Sequence, residues 1–246
     1  MGAAEGLSAS EVMARAVARA QQVAERPRYS YTKTSVQEEL DGKGNVKERK
    51  EKLYDVVFDA GFSRLHLVRV NGQSLSGAQL RKQEEHEGKD REQMSDFKAG
   101  KQKGDGREIY LTAEVAAKYS YRYLDPVMIG GRRTYAIAFQ PRNGDLPVKQ
   151  LVDRLLNHIA GVVYIDCEEF EVSKADVHLQ NEVTLWGGLI GSLKKCTFAM
   201  ERTRLADGVW FNKVINADLE GRKLLESTHI RSRTESAGFQ RAVGAR

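Results

Sequence analysis

Four carboxylates stand close together in the second half of the chain, at Asp166, Glu168, Glu169 and Glu171. Hard cations such as Ca²⁺ bind several carboxylate oxygens, so this cluster is the first candidate for a metal site. Its spacing differs from that of an EF-hand loop, and on a hairpin the four side chains point to alternate faces. A solvent-exposed acidic turn explains the cluster better, and we expect no metal.

Nucleophilic catalysis needs an activated serine, cysteine or threonine beside a base. The chain contains no Gly-x-Ser-x-Gly elbow, and its histidines stand in no recognisable nucleophile context. We therefore expect a binding protein rather than an enzyme, with no catalytic residue and no cofactor. The five histidines are His66, His86, His158, His178 and His229.

A glycine-rich apolar segment covers residues 186–191, with the sequence Trp-Gly-Gly-Leu-Ile-Gly. It lacks the Lys-Ser/Thr ending of a phosphate-binding loop, so a turn or bulge between strands is the better interpretation. Trp186, Leu189 and Ile190 would either plug one end of a curved sheet or gate an apolar cavity. The plug is the favoured alternative.

Aromatic side chains alternate along two neighbouring segments. Tyr119, Tyr121 and Tyr123 precede a turn, and Tyr135 and Phe139 follow it. Such a stripe forms one sheet face, which is more often core than ligand surface. If an apolar ligand binds, we expect the contacts to come from the aromatic residues of this face and from the two tryptophans. The predicted ligand-binding residues are Tyr119, Tyr121, Tyr135, Phe139, Trp186 and Trp210.

The charge of the chain is mixed rather than strongly basic. Its 39 Lys and Arg residues against 34 Asp and Glu residues leave a net charge of +5. A nucleic-acid-binding protein using the basic C-terminal residues is the weakest alternative, because no helix-turn-helix or RNP-type motif accompanies the charge. We expect no nucleic-acid partner.

The apolar runs are too short to cross a bilayer, which needs roughly 20 residues, so we expect no membrane-spanning segment. No secretory signal opens the sequence, which leaves a cytoplasmic protein or a chain whose signal has been removed. Cys167 and Cys196 are too far apart for a CxxC motif. They would pair in an oxidising compartment or act as small buried apolar residues.

The first element that must position these residues is a helix over residues 8–24. Ser8 and Glu11 have capping-box spacing, and Leu7 is placed to pack against Val12. Pro27 ends the segment, and the hydrophobic period then changes from about 3.6 to two.

About eleven strands follow in succession, separated by short turns, with helices only at the start and in the middle of the chain. Turns are predicted at residues 41–44, at residues 71–72, at residues 130–131 and at the glycines Gly208 and Gly221. This order predicts an α+β fold that is mainly antiparallel, as a curved half-barrel or a sandwich. Residues 79–106 are predicted to form a charged surface insertion, because they are rich in charged residues. Residues 232–246 are predicted to form a partly ordered basic tail.

Residues 161–166, with the sequence Gly-Val-Val-Tyr-Ile-Asp, precede Phe170, Val172 and Lys174. This pattern resembles the Gly-x-x-x-Ile-Asp strand, turn and Val-x-Lys strand of the LolA-like lipoprotein-sorting superfamily. Residues 207–210, Asp-Gly-Val-Trp, resemble the turn and strand start that often follow. The chain departs from the family in having no lipid-attachment cysteine near its start and in carrying the charged insertion.

The resemblance implies a single LolA-like domain over residues 1–246, built as a curved half-barrel of about eleven strands with helices covering its concave side. It implies a monomeric periplasmic or envelope-associated carrier or chaperone for lipoprotein acyl chains, lipid or another apolar ligand. An envelope protein partner is a further expectation. The alternative is that a filled cavity makes the same fold a solid-core protein-interaction scaffold.

Overall fold

Antiparallel strands dominate the computed structural model, which describes residues 6–22, 29–59, 62–85, 88, 112–142, 151–185, 191–223 and 226–241. Within these residues the helices are α1 (Ala9–Gln22), α2 (77–85), α3 (Ala113–Ala116) and α4 (Leu151–Leu156). The strands are β1 (Tyr29–Leu40), β2 (Val46–Asp59), β3 (Phe62–Val70), β4 (Gln73–Ser74), β5 (Tyr119–Tyr123), β6 (Val127–Ile129), β7 (Arg132–Pro141), β8 (Ile159–Asp166), β9 (Val172–Leu179), β10 (Val183–Leu185), β11 (Gly191–Arg204), β12 (Trp210–Lys223) and β13 (Glu226–Arg241).

Hydrogen bonds join the strands in the order β4-β3-β2-β1-β13-β12-β11-β9-β8-β7-β5, with β10 beside β11 and β6 beside β7. The pairs from β13 to β5 are antiparallel, and so are β2–β3 and β3–β4. The predicted α+β class with a mainly antiparallel sheet is confirmed. The described strands number thirteen rather than about eleven.

The chain divides into two compact units. Unit 1 comprises Met1–Pro27, Ser35–Arg49 and Leu111–Ser236, and unit 2 comprises Arg28–Thr34, Lys50–Tyr110 and Ala237–Arg246. The prediction of one LolA-like domain over the whole chain stays a prediction.

In unit 1, helix α1 begins at the predicted capping box. The Ser8 amide donates to Glu11 Oε2 over 2.6 Å, and the Glu11 amide donates to Ser8 Oγ over 3.2 Å. Two amides that the helix leaves unpaired are thereby satisfied. One face of α1, including Val12 and Met13, is buried against β7 and β8, where it meets Ile137. Burial of a Val or Met side chain contributes roughly 1.5–3 kcal/mol.

Two tight turns confirm the predictions made from their residues. Asn71 and Gly72 join β3 to β4 with φ values of 51° and 76°, and Gly130 and Gly131 join β6 to β7 with 56° and 77°. Positive φ at both central residues is the requirement of a type I′ turn, which Asn-Gly and Gly-Gly meet most easily. The sequence therefore sets these two local registers by itself.

The turn predicted at Gly221 is wrong, because this residue lies inside β12, opposite Thr228 of β13. A Cβ there would collide with the carbonyl oxygen of Ser192 in β11, so the glycine permits two strands to approach closely. Residues 232–241, which composition placed in a basic tail, belong to strand β13. Residues 242–246 lie outside the described residues.

Unit 2 contains the β2–β3 pair and helix α2. Gln83 of α2 accepts a hydrogen bond from the Leu67 amide of β3 over 3.1 Å, so the helix satisfies a donor on this strand. Val56 is buried, and the rings of Tyr31 and Phe239 have centroids 5.2 Å apart. Helix α2 covers the start of the predicted insertion at 79–106, most of which lies outside the described residues.

Among the described residues, no helix is long and apolar enough to cross a bilayer.

Gly161 of the predicted family motif has a steric role in β8. It lies opposite Val177 of β9, and a Cβ at Gly161 would lie 2.9 Å from the Val177 Cα and closer still to the Asp176 carbonyl oxygen. Backbone atoms cannot move aside as the end of a side chain can. The absence of a side chain at this position is therefore a condition of the β8–β9 pairing.

We predict that Gly161→Ala lowers the free energy of unfolding by about 1–3 kcal/mol, because the added methyl group overpacks the contact with β9. Urea unfolding followed by circular dichroism measures this change. The matched control is Gly42→Ala, since no atom lies within 4 Å of a Cβ at Gly42. Equal stability of the two variants would contradict the steric role of Gly161.

Candidate ligand-binding cavity

A cavity of about 1050 Å³ lies in unit 1. Its wall runs from Arg122 on β5 to Arg49 on β2, which are far apart in the strand order. The strands of unit 1 therefore curve around the cavity, as the half-barrel prediction requires. Helix α1 packs against the face of β7 and β8 that points away from the cavity, whereas the prediction has helices over the concave side.

The side chains of the wall come from alternate positions, because residues directly opposite each other on antiparallel strands point to the same face. Two rows cross the sheet in this way. The first row is Arg122, Ala138, Val162, Asp176, Ala199, Asn216 and Arg233, and the second is Ala160, His178, Thr197, Asp218 and Arg231.

Small and apolar residues form part of the wall. Ala138, Ala160 and Ala199 leave space above the sheet, and Val162 adds an apolar surface beside them. A side chain of ordinary size at these positions would occupy part of the cavity. The composition of the wall is thus the reason why the space exists.

Charged and polar side chains lie along the same wall. Arg231 lies 3.7 Å from both Glu38 and Asp218, and Arg49 lies 3.7 Å from Glu38. His229 Nε2 lies 2.8 Å from Asp218 Oδ1. These groups are partly exposed, so each pair contributes about 0–1 kcal/mol to stability and mainly sets the orientation of its side chains.

The remaining charges of the wall differ in their partners. Asp176 pairs with Lys174 over 3.2 Å, and Arg233 pairs with Glu235. Arg122 is exposed and makes no ion pair or hydrogen bond through its side chain with any described residue. It is the one cavity arginine in the described part of the chain whose guanidinium is left to solvent.

Four of the predicted ligand-binding residues pack on the other face of the sheet. Tyr121 and Tyr135 belong to the apolar cluster under α1, together with Phe139, which also contributes to the cavity wall. The Tyr119 hydroxyl donates to the Leu156 carbonyl over 2.7 Å, and its ring meets that of Phe139 edge-on at 5.3 Å. The stripe serves as core in these contacts, and a ligand role for it stays a prediction.

Burial changes the acidity of these tyrosines. Desolvation raises the pKa of Tyr119, and it raises the pKa of Tyr121 to about 12. The Tyr121 hydroxyl donates to the Ala116 carbonyl over 2.6 Å. Both hydroxyls are therefore neutral donors that fasten β5 to the neighbouring helices.

The last two predicted residues are the tryptophans, and Trp210 does not line the cavity. Trp186 is outside the described residues. Trp210 begins β12, is 9% exposed, and donates from its indole Nε1 to Glu169 Oε2 over 2.6 Å. The Arg202 guanidinium lies 6.0 Å from the Trp210 ring centroid, within reach of a cation–π contact. Trp210 thus packs beside the acidic turn.

The acidic turn itself is built from ion pairs, so the expectation that it is simply solvent-exposed is wrong for two of its members. Asp166 is 1% exposed and Glu171 is 7% exposed. Arg132 binds both oxygens of Asp166, at 2.6 and 2.8 Å, and Glu171 binds Arg19 at 3.1 Å and Arg202 at 2.8 Å. Buried carboxylates need such partners, which alternation along the sequence does not reveal.

The Asp166 carboxylate also stabilises the turn through backbone hydrogen bonds. Oδ1 accepts hydrogen bonds from the amides of Glu168 and Glu169 over 3.0 and 2.9 Å. Burial by itself would raise the pKa of Asp166, but the hydrogen bonds from Arg132 and from these amides outweigh it, and the pKa is lowered. In the described residues, no group of three or more His, Cys, Asp or Glu side chains is arranged to hold a metal ion.

Sequence reasoning missed the cavity residues because it followed the apolar positions. The cavity residues occupy the alternate positions of the same strands. Arg122 stands between Tyr121 and Tyr123 of the aromatic stripe, and Ala138 precedes Phe139. The available signal was the recurrence of small residues, such as Ala138, Ala160 and Ala199, at positions that face one way.

Comparisons with known proteins give structural neighbours only. No family model matches the chain. No curated protein matches it either. The structural neighbours include a protein described as an outer membrane lipoprotein-sorting protein domain from Vibrio parahaemolyticus, with 8% identity, 97% of this chain and 95% of that chain covered, and a TM-score of 0.38.

Two further neighbours have similar coverage. A DUF1329 family protein from Desulfovibrio piger has 10% identity, with 97% of this chain and 95% of that chain covered and a TM-score of 0.33. A chain of the MucA/MucB complex of Pseudomonas aeruginosa has 11% identity, with 93% and 94% covered and a TM-score of 0.27. All three TM-scores lie below 0.5.

We predict that Asp166→Asn lowers the free energy of unfolding by about 3 kcal/mol at neutral pH, because Arg132 loses its buried charged partner. The matched control is Glu168→Gln, which removes a carboxylate from the same arginine at a site whose side chain is 79% exposed. This control should cost less than about 1 kcal/mol. Urea unfolding measures both changes, and a larger loss in the control would contradict the assignment.

The stabilising effect of Asp166 should depend on pH. The pKa of Asp166 is lowered in the folded state. Between this lowered pKa and the ordinary pKa, the unfolded state binds more protons than the folded state, so the free energy of unfolding rises with pH. The advantage of the wild type over Asp166→Asn is therefore complete above the ordinary pKa of about 3.9 and disappears as the pH falls through the lowered value. Unfolding curves from about pH 7 to about pH 2.5 test this, and a constant difference would argue against it.

Proposed function

We propose that this protein is an envelope-associated binding protein, a carrier or chaperone that shelters a lipid, a lipoprotein acyl chain or another apolar group. The observation that supports the proposal is the open cavity of about 1050 Å³, whose wall includes small apolar residues. Its volume is comparable with the upper end of the roughly 300–1000 Å³ that ligand pockets usually enclose. The cavity is the proposed site of the ligand.

The energy available in such a cavity is sufficient for reversible binding. Burial of apolar surface contributes about 25 cal/mol per Å², so covering several hundred Å² of an acyl chain contributes several kcal/mol before the costs of ordering. A carrier needs binding of this moderate strength, because it must also release its ligand. No cofactor is part of the proposal.

The chemistry of the wall supports binding rather than catalysis. Glu38 and Asp218 are both engaged with Arg231, and Asp176 is engaged with Lys174. A general base must be able to reach a proton of the substrate, whereas these carboxylates already hold cations. We therefore include the absence of enzymatic activity in the proposal, together with a periplasmic or envelope location.

An interaction scaffold is the second candidate, and one observation favours it. Strand β6 exposes Met128 to 65% and Val127 to 37%, and Tyr123 of β5 is exposed to 37%. Exposed apolar side chains at a sheet edge are suited to contact with another protein. In this alternative the cavity has no ligand and the edge carries the function.

The carrier proposal is tested by native mass spectrometry of the protein purified from a bacterial host, with organic extraction of any bound molecule, and by titration with a fluorescent fatty acid. We predict that Ala199→Trp weakens binding of the probe by about tenfold or more, because the indole fills part of the cavity where the alanine leaves space.

The matched control is Val57→Trp, which adds the same indole at a site in unit 2 that is 44% exposed. It should bind the probe as the wild type does. Thermal unfolding of both variants shows whether each is folded. If the wild type carries no extractable ligand and takes up no fatty acid, the carrier proposal fails and the scaffold becomes the better account.

A further inference from the structure

We infer that the cavity selects an amphipathic anion, with a carboxylate or phosphate group bound by Arg122 and an apolar chain lying along Ala138 and Val162. This inference rests on the proposed carrier function and names the class of ligand for it. Three observations carry it: a guanidinium that pairs with none of the described residues, the excess of positive charge on the wall, and the apolar residues that begin beside the arginine.

The first observation concerns the arginines of the cavity. Arg49 and Arg231 share Glu38, and Arg233 is held by Glu235 and by Asn216 Oδ1 over 3.1 Å. Arg122 differs because none of the described residues pairs with its guanidinium. A planar guanidinium with free donors binds carboxylate and phosphate groups through two parallel hydrogen bonds. Arg122 is therefore available to a ligand in a way that the other three are not.

The second observation is the charge of the wall. It contains four arginines against three carboxylates. Outside the wall, Lys174 pairs with Asp176 and Glu235 pairs with Arg233, so these two partners cancel and leave the excess of one positive charge unchanged. The cavity is thus positive overall, and a ligand anion restores the balance without breaking any existing ion pair.

The third observation is the position of the apolar surface. Arg122 lies directly opposite Ala138, and Ala138 lies directly opposite Val162 on the next strand. Neighbouring strands are about 4.8 Å apart, so an apolar chain that follows this row begins within about 5 Å of the arginine. Head group and chain are therefore bound by adjacent parts of one wall, which is the arrangement that an amphipathic molecule needs.

The test compares decyl phosphate with 1-decanol, which has the same chain and no charge, by isothermal titration calorimetry; inorganic phosphate is the third probe. We predict that the wild type binds decyl phosphate about tenfold more tightly than decanol, because an ionised acceptor strengthens its hydrogen bonds to arginine. Arg122→Gln should remove this preference and leave decanol binding unchanged. Arg122→Lys should keep part of it, and the preference should decrease as salt is added.

Arg69→Gln is the matched control, because Arg69 is exposed in β3, belongs to unit 2 and does not line the cavity. It should retain the wild-type preference. Equal binding of decyl phosphate and decanol, or a preference that survives Arg122→Gln, overturns the inference while the carrier proposal stands. Inorganic phosphate bound as tightly as decyl phosphate identifies a site for free anions and also overturns it. If neither decyl compound binds, the carrier proposal fails as well.

Discussion

The paired carboxylates of the β8–β9 turn are the constraint on which the rest of unit 1 depends. Asp166 and Glu171 are buried, and a buried carboxylate without a partner would cost several kcal/mol. Their cationic partners come from three other elements: Arg132 from β7, Arg19 from α1 and Arg202 from β11. Satisfying two charges in one turn therefore fixes a helix and two strands at the same point.

The same turn holds a backbone conformation that would otherwise be unfavourable. Phe170 has a φ of 54°, a left-handed value that few residues other than glycine adopt. Its amide donates to the Asp166 carbonyl over 3.0 Å, and the Asp166 amide donates to the Glu171 carbonyl over 2.9 Å. The Phe170 ring stacks on Tyr135, with centroids 6.4 Å apart. These contacts together hold the strained residue in place.

The position of α1 decides which face of the sheet remains open. Arg19 ties the helix to Glu171, and its apolar residues cover the side of β7 that carries Ile137. The alternate positions, such as Ala138, are then left to the cavity. Because side chains alternate with a period of two, a slip of one residue in any of these strand pairs would exchange the two faces. The cavity therefore depends on register as much as on composition.

The sequence by itself determined the features that depend on neighbouring residues. The capping box at Ser8 and Glu11, the type I′ turns and the hydrogen bonds accepted by Asp166 all act over a few residues, so residue type is sufficient to predict them. The change of hydrophobic period from the first helix to the strands likewise predicted the mainly antiparallel class. The motif that resembles lipoprotein-sorting proteins is of the same local kind.

Only the tertiary structure decided where the cavity lies and what lines it. Both faces of each strand are present in the sequence. The apolar face is the more conspicuous one, so the sequence indicates the tyrosines as ligand contacts and gives no sign of Arg122. The residues that fix which face is open are far apart in the chain. Arg19 and Glu171 are 152 residues apart, and the first row of the wall comes from seven strands.

Gly221 is a packing position rather than a turn for the same reason, since its neighbour Ser192 is brought to it by strand pairing. Local chemistry specifies elements, whereas the choice of the open face follows from long-range pairing and from where buried charges find their partners.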